Sequence, residues 1–295
     1  MGKKLLFVYN PKAGKEKIRE CLADVLELFA AEDYEMTVVP TRRRGEAREV
    51  VRDRSKDYDL VVCSGGDGTL DETVTGMLQS GFRTPIGYIP AGSTNDYGES
   101  LGLSKNMAEA AKTAIMGRNF ACDMGGFNED VFVYIAAFGL FTDVSYETDQ
   151  AVKNVLGHLA YVLEGMKRLS NVRSYPLKVT HDGETIEDEF IFGMITNSRS
   201  VGGFKNITGK NVEMDDGLFE VTLIKMPTNP VELSAILTSL MNRDVDTDMM
   251  YCFRSAEITV ESPEPLAWTL DGENGGAHEK AVIRNLHNTV EIRVD

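Results

Sequence analysis

The sequence predicts an α/β domain built on a parallel sheet, followed by a β-rich, antiparallel and sandwich-like domain. Three observations point there. Over the first third, short apolar runs alternate with segments of helical periodicity. Glycine- and asparagine-rich turns stand directly after several of those runs. Past about Asn119 the pattern changes to strand-like runs punctuated by hairpin signals.

Taken in order, Leu5–Tyr9 reads as a buried strand, and Ile18, Cys21, Leu22, Val25, Leu26 and Phe29 recur at helical spacing. Glu35–Val39 reads as a strand, Glu46–Arg54 as a helix, Leu60–Cys63 as a strand, Thr69–Leu78 as a helix and Pro85–Ile89 as a strand. Such sheets bind ligands at the carboxyl ends of their strands. Asn10-Pro11-Lys12-Ala13-Gly14, Thr41, Gly65-Gly66-Asp67-Gly68 and Pro90-Ala91-Gly92-Ser93-Thr94-Asn95 all lie at such ends. Past about Asn119, Phe120–Asp123, Val131–Phe138, Leu177–Thr180, Phe190–Thr196, Leu218–Ile224 and Ala256–Glu261 read as strands. Hairpin signals stand at Asp182-Gly183 and Asn288, and helical patterns at Val152–Leu169 and Pro230–Met241. Ala281–Leu286 and Thr289–Val294 close the chain as two strands. The expected division is 1–125, with 284–295 assignable to it, and 126–283.

With 295 residues the chain can bury a sizeable core. Its net charge of −15 argues against a nucleic-acid partner, which needs a dominant basic surface, and against holding an anionic membrane by bulk charge. Cys21, Cys63, Cys122 and Cys252 are scattered, without disulfide or zinc spacing, which fits a reducing cytoplasm. The longest apolar stretch, Val131–Phe141, is too short to span a bilayer, so the protein is expected to be soluble, with any membrane contact transient and peripheral.

The most informative segment is Ser64–Glu72, a glycine-paved loop carrying Asp67 and opening a helix. Glycines let backbone N–H groups approach an anion, the helix start adds partial positive charge, and a carboxylate can hold a cation or polarise water. Thr69 and Glu72 also satisfy a capping box. Lys12 and Lys15 could neutralise phosphate, whereas Arg42-Arg43-Arg44 reads better as a solvated basic turn. A second acidic set comprises Asp123, Asp215-Asp216-Gly217 and Asp271-Gly272-Glu273, in which aspartate before glycine is also a turn signal. Phosphoryl transfer needs Mg²⁺ across phosphate oxygens and a carboxylate to take the acceptor's proton, and such residues could supply both.

With these segments collected, the chain resembles the bacterial diacylglycerol kinase and lipid kinase family, related to sphingosine kinases and more remotely to NAD kinases and phosphofructokinases. The resemblance runs nearly the whole length. Besides the loops above, its markers are Asp96, Val144-Ser145-Tyr146-Glu147-Thr148 and Leu156-Gly157-His158-Leu159-Ala160-Tyr161. It implies that Asn10, Pro11, Lys12, Ala13, Gly14, Thr41, Gly65, Gly66, Asp67, Gly68, Thr69, Leu70, Asp71, Glu72 and Ser93 hold ATP. It makes Glu273 the general base, with Asp67 and Asp123 completing an acidic centre around Mg²⁺. It gives Asp216, with main-chain oxygens near Glu213 and Leu218, a separate structural Mg²⁺. The acceptor it implies is diacylglycerol or a related lipid, met at a membrane surface, with the reaction in a cleft between the domains; a homodimer is compatible.

Departures from the family pattern are Asp71 in place of Asn, Ser93 in place of Thr, and Glu99 and Glu164 where close relatives carry Arg and Lys. The last two bear on the identity of the lipid. Two alternatives remain open. An NAD kinase-like enzyme would share the glycine-aspartate loop, and a non-catalytic nucleotide-binding regulator would tolerate the acidic changes.

Overall fold

The run Leu5-Leu6-Phe7-Val8 has no polar side to turn toward water, and in the computed structural model all four residues are buried in β1 (Lys3–Tyr9). The structure describes residues 2–140, 173–201, 204–205, 212–242 and 247–295. They divide into two units, Met1–Asp123 with His287–Asp295, and Met124–Leu286.

In the first unit β1 is followed by α1 (Ile18–Ala31), β2 (Tyr34–Pro40), α2 (Glu46–Arg54), β3 (Leu60–Gly65), α3 (Asp67–Ser80), β4 (Ile86–Pro90), α4 (Asp96–Ser100) and α5 (Met107–Met116). The pairings are parallel, in the order β2-β1-β3-β4, and the end of the chain adds a further parallel contact where Ile292 lies beside Ile86. The chain steps outward from β1 to β2 and then returns past β1 to β3. That reversal makes a switch point at the carboxyl ends of β1 and β3, where open sheets of this kind take their ligands. Ile18, Val25 and Phe29 of α1 pack with Ala110, Ala111 and Ala114 of α5 against Leu5, Phe7, Leu60 and Val62.

The second unit takes over within β5 (Arg118–Phe127) and continues with β6 (Asp130–Phe132), β7 (Ile135–Gly139), β8 (Tyr175–His181), β9 (Glu184–Thr196), β10 (Ser200–Val201), β11 (Phe204–Lys205), β12 (Phe219–Lys225), α6 (Pro230–Asn242), β13 (Met250–Ser255), β14 (Glu257–Leu270) and β15 (Glu273–Val294). Its pairings are antiparallel, in the order β13-β12-β9-β7-β14-β15. β8 pairs with both β9 and β14, so β7, β9, β8 and β14 close a circuit around Phe138, Val179, Phe190, Ile258 and Trp268. Asp182 and Gly183, at φ +48° and +84°, make the expected hairpin turn between β8 and β9.

Three expectations are corrected. Val131–Phe138 is two strands, β6 and β7, because the amides around the break are diverted to a side chain: Val133, Tyr134 and Ile135 donate to the Asp271 carboxylate at 2.5, 2.9 and 2.9 Å. No hairpin forms at Asn288. β15 runs through it as one strand, its early part on β14 and its late part on β4, with Asn288 at φ +52° and its amide donating to Asp123. The strand expected to stop at Glu261 continues to Leu270, past Pro263 and Pro265, through a register shift between Glu261 and Leu266. The sequence reading also contained no helix at α4 or α5. The helix expected at Val152–Leu169 and the markers Val144–Thr148 and Leu156–Tyr161 lie outside the described residues.

Asp271 therefore carries more of the second unit than a turn residue would. Asp271→Ala should leave up to three amides without their acceptor and cost on the order of 3 kcal/mol. The expected result is a lower urea midpoint at unchanged slope.

Candidate active site

Asn10–Gly14 leaves β1 and is tied down at its first residue, where the Asn10 amide donates to Ser64 O at 2.8 Å. Asn10 Oδ1 then accepts the Lys12 amide at 2.9 Å, which folds the loop and leaves the Lys12 side chain exposed. From the end of β4, the Ala91 and Gly92 amides donate to Gly65 O at 2.7 and 3.2 Å. From the end of β2, the Thr41 amide donates to Tyr9 O at 2.8 Å. The Asn10–Gly14, Gly65–Gly68 and Pro90–Asn95 loops are thus tied together through the end of β3 at the start of α3, and Thr41 is bonded to the end of β1.

Gly14 and Gly68 show what the glycines do. Gly14 sits at φ +53°, and a Cβ there would lie 1.7 Å from Ala91 O, so the contact between the Asn10–Gly14 and Pro90–Asn95 loops requires glycine. Gly68 is the opposite case, with nothing within 4 Å of an added Cβ. It is exposed at the second position of α3, where neither its amide nor that of Asp67 has a carbonyl one turn back in the helix. That open helix start is suited to a phosphate group. Gly14→Ala should therefore lower both stability and nucleotide affinity, whereas Gly68→Ala should leave the melting temperature within about 2 °C and weaken an ATP analogue roughly tenfold or more. Paired melting and titration measurements check both.

Asp67 faces α4, and the Tyr97 amide lies 3.4 Å from its Oδ1. Burial, with the negative charge of Asp96 beside it, raises its carboxyl to about 6. Asp96, at the start of α4, is itself buried. Two acids this close form a ready position for a cation, and the glycine cradle beside them suits a metal-bound polyphosphate. Asn95 shapes the loop at φ +56°, exchanging bonds with Gly92 through both ends of its amide. The sequence shows Asp96 and Asn95 only as part of a motif; the available signal is a second acid directly after the Pro90–Asn95 loop at a strand end.

The remaining candidates are placed as follows. Asp123 is fully buried in the first unit, where its Oδ1 accepts the Asn288 amide at 2.8 Å and lies 2.9 Å from His287 Nδ1. Thr69 and Leu70 are buried, Asp71 is partly exposed and Ser93 is exposed. The capping box does not form: Gly66 is the N-cap of α3, and the Glu72 carboxylate instead accepts the Gly45 and Ala47 amides at 2.7 and 3.1 Å, capping α2. Arg42 and Arg43 are paired with Glu46 and Glu49, and Glu99 with Lys105 at 3.6 Å. In the second unit, Glu273 is partly exposed and opens β15 directly after the Asp271-Gly272 turn.

Near β12 the Asp216 carboxylate accepts the Leu218 amide at 3.0 Å through Oδ1 and pairs with the Arg254 guanidinium through Oδ2, while Glu213 is exposed. Glu220 lies alongside, its carboxyl raised to about 7 by burial, against the pull of Arg254. Among the described residues no three His, Cys, Asp or Glu side chains converge as a metal site.

Residues 4–127 match the diacylglycerol kinase catalytic domain, and residues 136–290 the YegS C-terminal NAD kinase beta sandwich-like domain. The diacylglycerol kinase of Bacillus subtilis is 31% identical over 277 residues, covering 93% of this chain and 91% of that protein. The diacylglycerol kinase of Staphylococcus carnosus is 30% identical over 294 residues, covering 99% and 95%. A solved structure of a diacylglycerol kinase from Bacillus anthracis matches with a TM-score of 0.78 at 23% identity, covering 100% of this chain and 97% of that one, and it shares the fold.

Proposed function

The chain belongs to the diacylglycerol kinase family and is a lipid kinase, and we propose that it transfers the γ-phosphate of ATP, with Mg²⁺, to a hydroxyl of diacylglycerol or a closely related lipid. The observation that carries the donor side is the bonding of the Asn10–Gly14, Gly65–Gly68 and Pro90–Asn95 loops around the open start of α3, beside the Asp67 and Asp96 acids.

In this reading the Asp67 and Gly68 amides hold phosphate oxygens, and Lys12 balances their charge. Asn10, Thr41 and Ser93 contribute polar contacts around the nucleotide. Asp67 would hold Mg²⁺ in the first unit, where the ion would supply positive charge against the negative charge that builds up on the phosphate during transfer. Asp123, kept in one orientation by Asn288 and His287, belongs to the same acidic set. Glu273 accepts the proton of the lipid hydroxyl as its oxygen attacks the γ-phosphorus. The bond from phosphorus to the β–γ bridging oxygen breaks in line, and ADP leaves. The acceptor is reached by peripheral contact with a membrane surface; among the described residues no helix is long and apolar enough to cross one.

The test is purified protein incubated with ATP and a panel of diacylglycerol, other lipid alcohols and NAD, with and without Mg²⁺, followed by mass spectrometry. The expected product is phosphatidic acid, formed only with Mg²⁺. Phosphate on NAD, or no phosphorylated lipid while ATP still binds, would contradict the reading.

A further inference from the structure

Glu220 of β12 and Arg254 of β13 are direct cross-strand partners, so the ladder register itself delivers a guanidinium to this corner of the second unit. Arg254 pairs with Asp216 Oδ2, and its Nε stands 3.3 Å from Glu220 Oε1, close enough to pair although not aligned as a hydrogen bond. Both acids are largely enclosed, with side-chain exposures of 18% for Asp216 and 8% for Glu220. Asp216 Oδ1 is already accepting the Leu218 amide.

A structural Mg²⁺ at Asp216 would need about six oxygens in near-octahedral geometry, several of them waters it gives up reluctantly. To reach the carboxylate it would have to displace the guanidinium, and Glu220 would then lose the positive charge beside it in a place where an unpaired charge is costly. The residues present do not fit the ion. The geometry points to Arg254 as a built-in cation that takes the place of the structural Mg²⁺, clamping the Asp215–Leu218 turn to β12 and β13 so that this unit needs no metal there. Its planar fork can serve two carboxylates at once, which a lysine could not match. The inference concerns side chains within the second unit and stands or falls apart from the identity of the lipid.

The experiment is thermal melting of the full chain without nucleotide, in EDTA and in millimolar MgCl₂, for wild type, Asp216→Asn, Arg254→Gln and the double variant. Wild type and Asp216→Asn should respond to Mg²⁺ alike. Arg254→Gln should melt roughly 5 °C or more lower in EDTA and regain part of that in Mg²⁺, and the double variant should not regain it. Arg254→Lys, keeping the charge without the fork, should melt between wild type and Arg254→Gln. A stabilisation by Mg²⁺ that wild type shows and Asp216→Asn lacks would overturn the inference, as would Arg254→Gln melting like wild type. A calorimetric MgCl₂ titration of wild type against Asp216→Asn decides the same point without an Arg254 variant: heat from a site lost with Asp216 would overturn it.

Discussion

Glu273→Gln is expected to lower kcat by about 10²–10⁴-fold, the contribution of a positioned general base, while leaving the affinity for an ATP analogue within about twofold of wild type. The split follows from placement. The carboxylate belongs to the second unit, directly after the Asp271-Gly272 turn, whereas the loops bonded around α3 all belong to the first. Glutamine keeps the shape and loses the basicity, so a fall in nucleotide affinity would mean that Glu273 acts on the donor rather than the acceptor. Unchanged turnover would remove it from the chemistry. Single-turnover kinetics with diacylglycerol, beside an equilibrium titration of the analogue, separates these outcomes.

Asp67→Asn should have the other large effect, in opposite directions on activity and on stability. Its carboxyl is raised from an ordinary 3.8 to about 6, chiefly by burial and secondarily by Asp96. The folded state therefore binds this proton more tightly than the unfolded state does, and stability falls as pH rises from about 4 to about 6, then levels off. At pH 7.5 the full cost is present, on the order of 2–3 kcal/mol. Asparagine carries no charge, so the variant should melt several degrees above wild type at pH 7.5, with the difference vanishing near pH 4. Turnover should be lost at every pH, since an amide cannot replace a carboxylate as holder of the cation. In wild type, kcat/KM for the nucleotide should fall as pH drops through about 6, where Asp67 takes up its proton. A variant no more stable than wild type at pH 7.5 would show that the enclosed Asp67 carboxylate carries no such cost.

Much of the first unit was legible because its strands are buried on both faces: Leu60-Val61-Val62-Cys63 and Leu5–Val8 have no polar side to present to water. The glycine loops were legible for the same reason, since each stands at the carboxyl end of such a run. α5 was missed although Asn106 supplies a cap, accepting the Ala108 and Glu109 amides at 3.0 and 3.2 Å. Its buried face is largely alanine, which gives little apolar contrast. Asn288 misled because asparagine, which tolerates the φ of +52° it adopts here, is a turn signal, while the two halves of β15 pair with different strands. Partner choice over long sequence distances was the illegible part. Glu72 bonds amides 25 and 27 residues away, Asp271 bonds amides 136 to 138 residues away, and Arg254 meets Asp216 across 38. No local pattern announces such pairs.

The open start of α3 is expected to cradle the triphosphate of the donor. A crystal of the protein with a non-hydrolysable ATP analogue and Mg²⁺ tests it most directly. Phosphate oxygens are expected within hydrogen-bond distance of the Asp67 and Gly68 amides, with the metal on the Asp67 carboxylate. Phosphates bound anywhere else, with those two amides facing solvent, would contradict it.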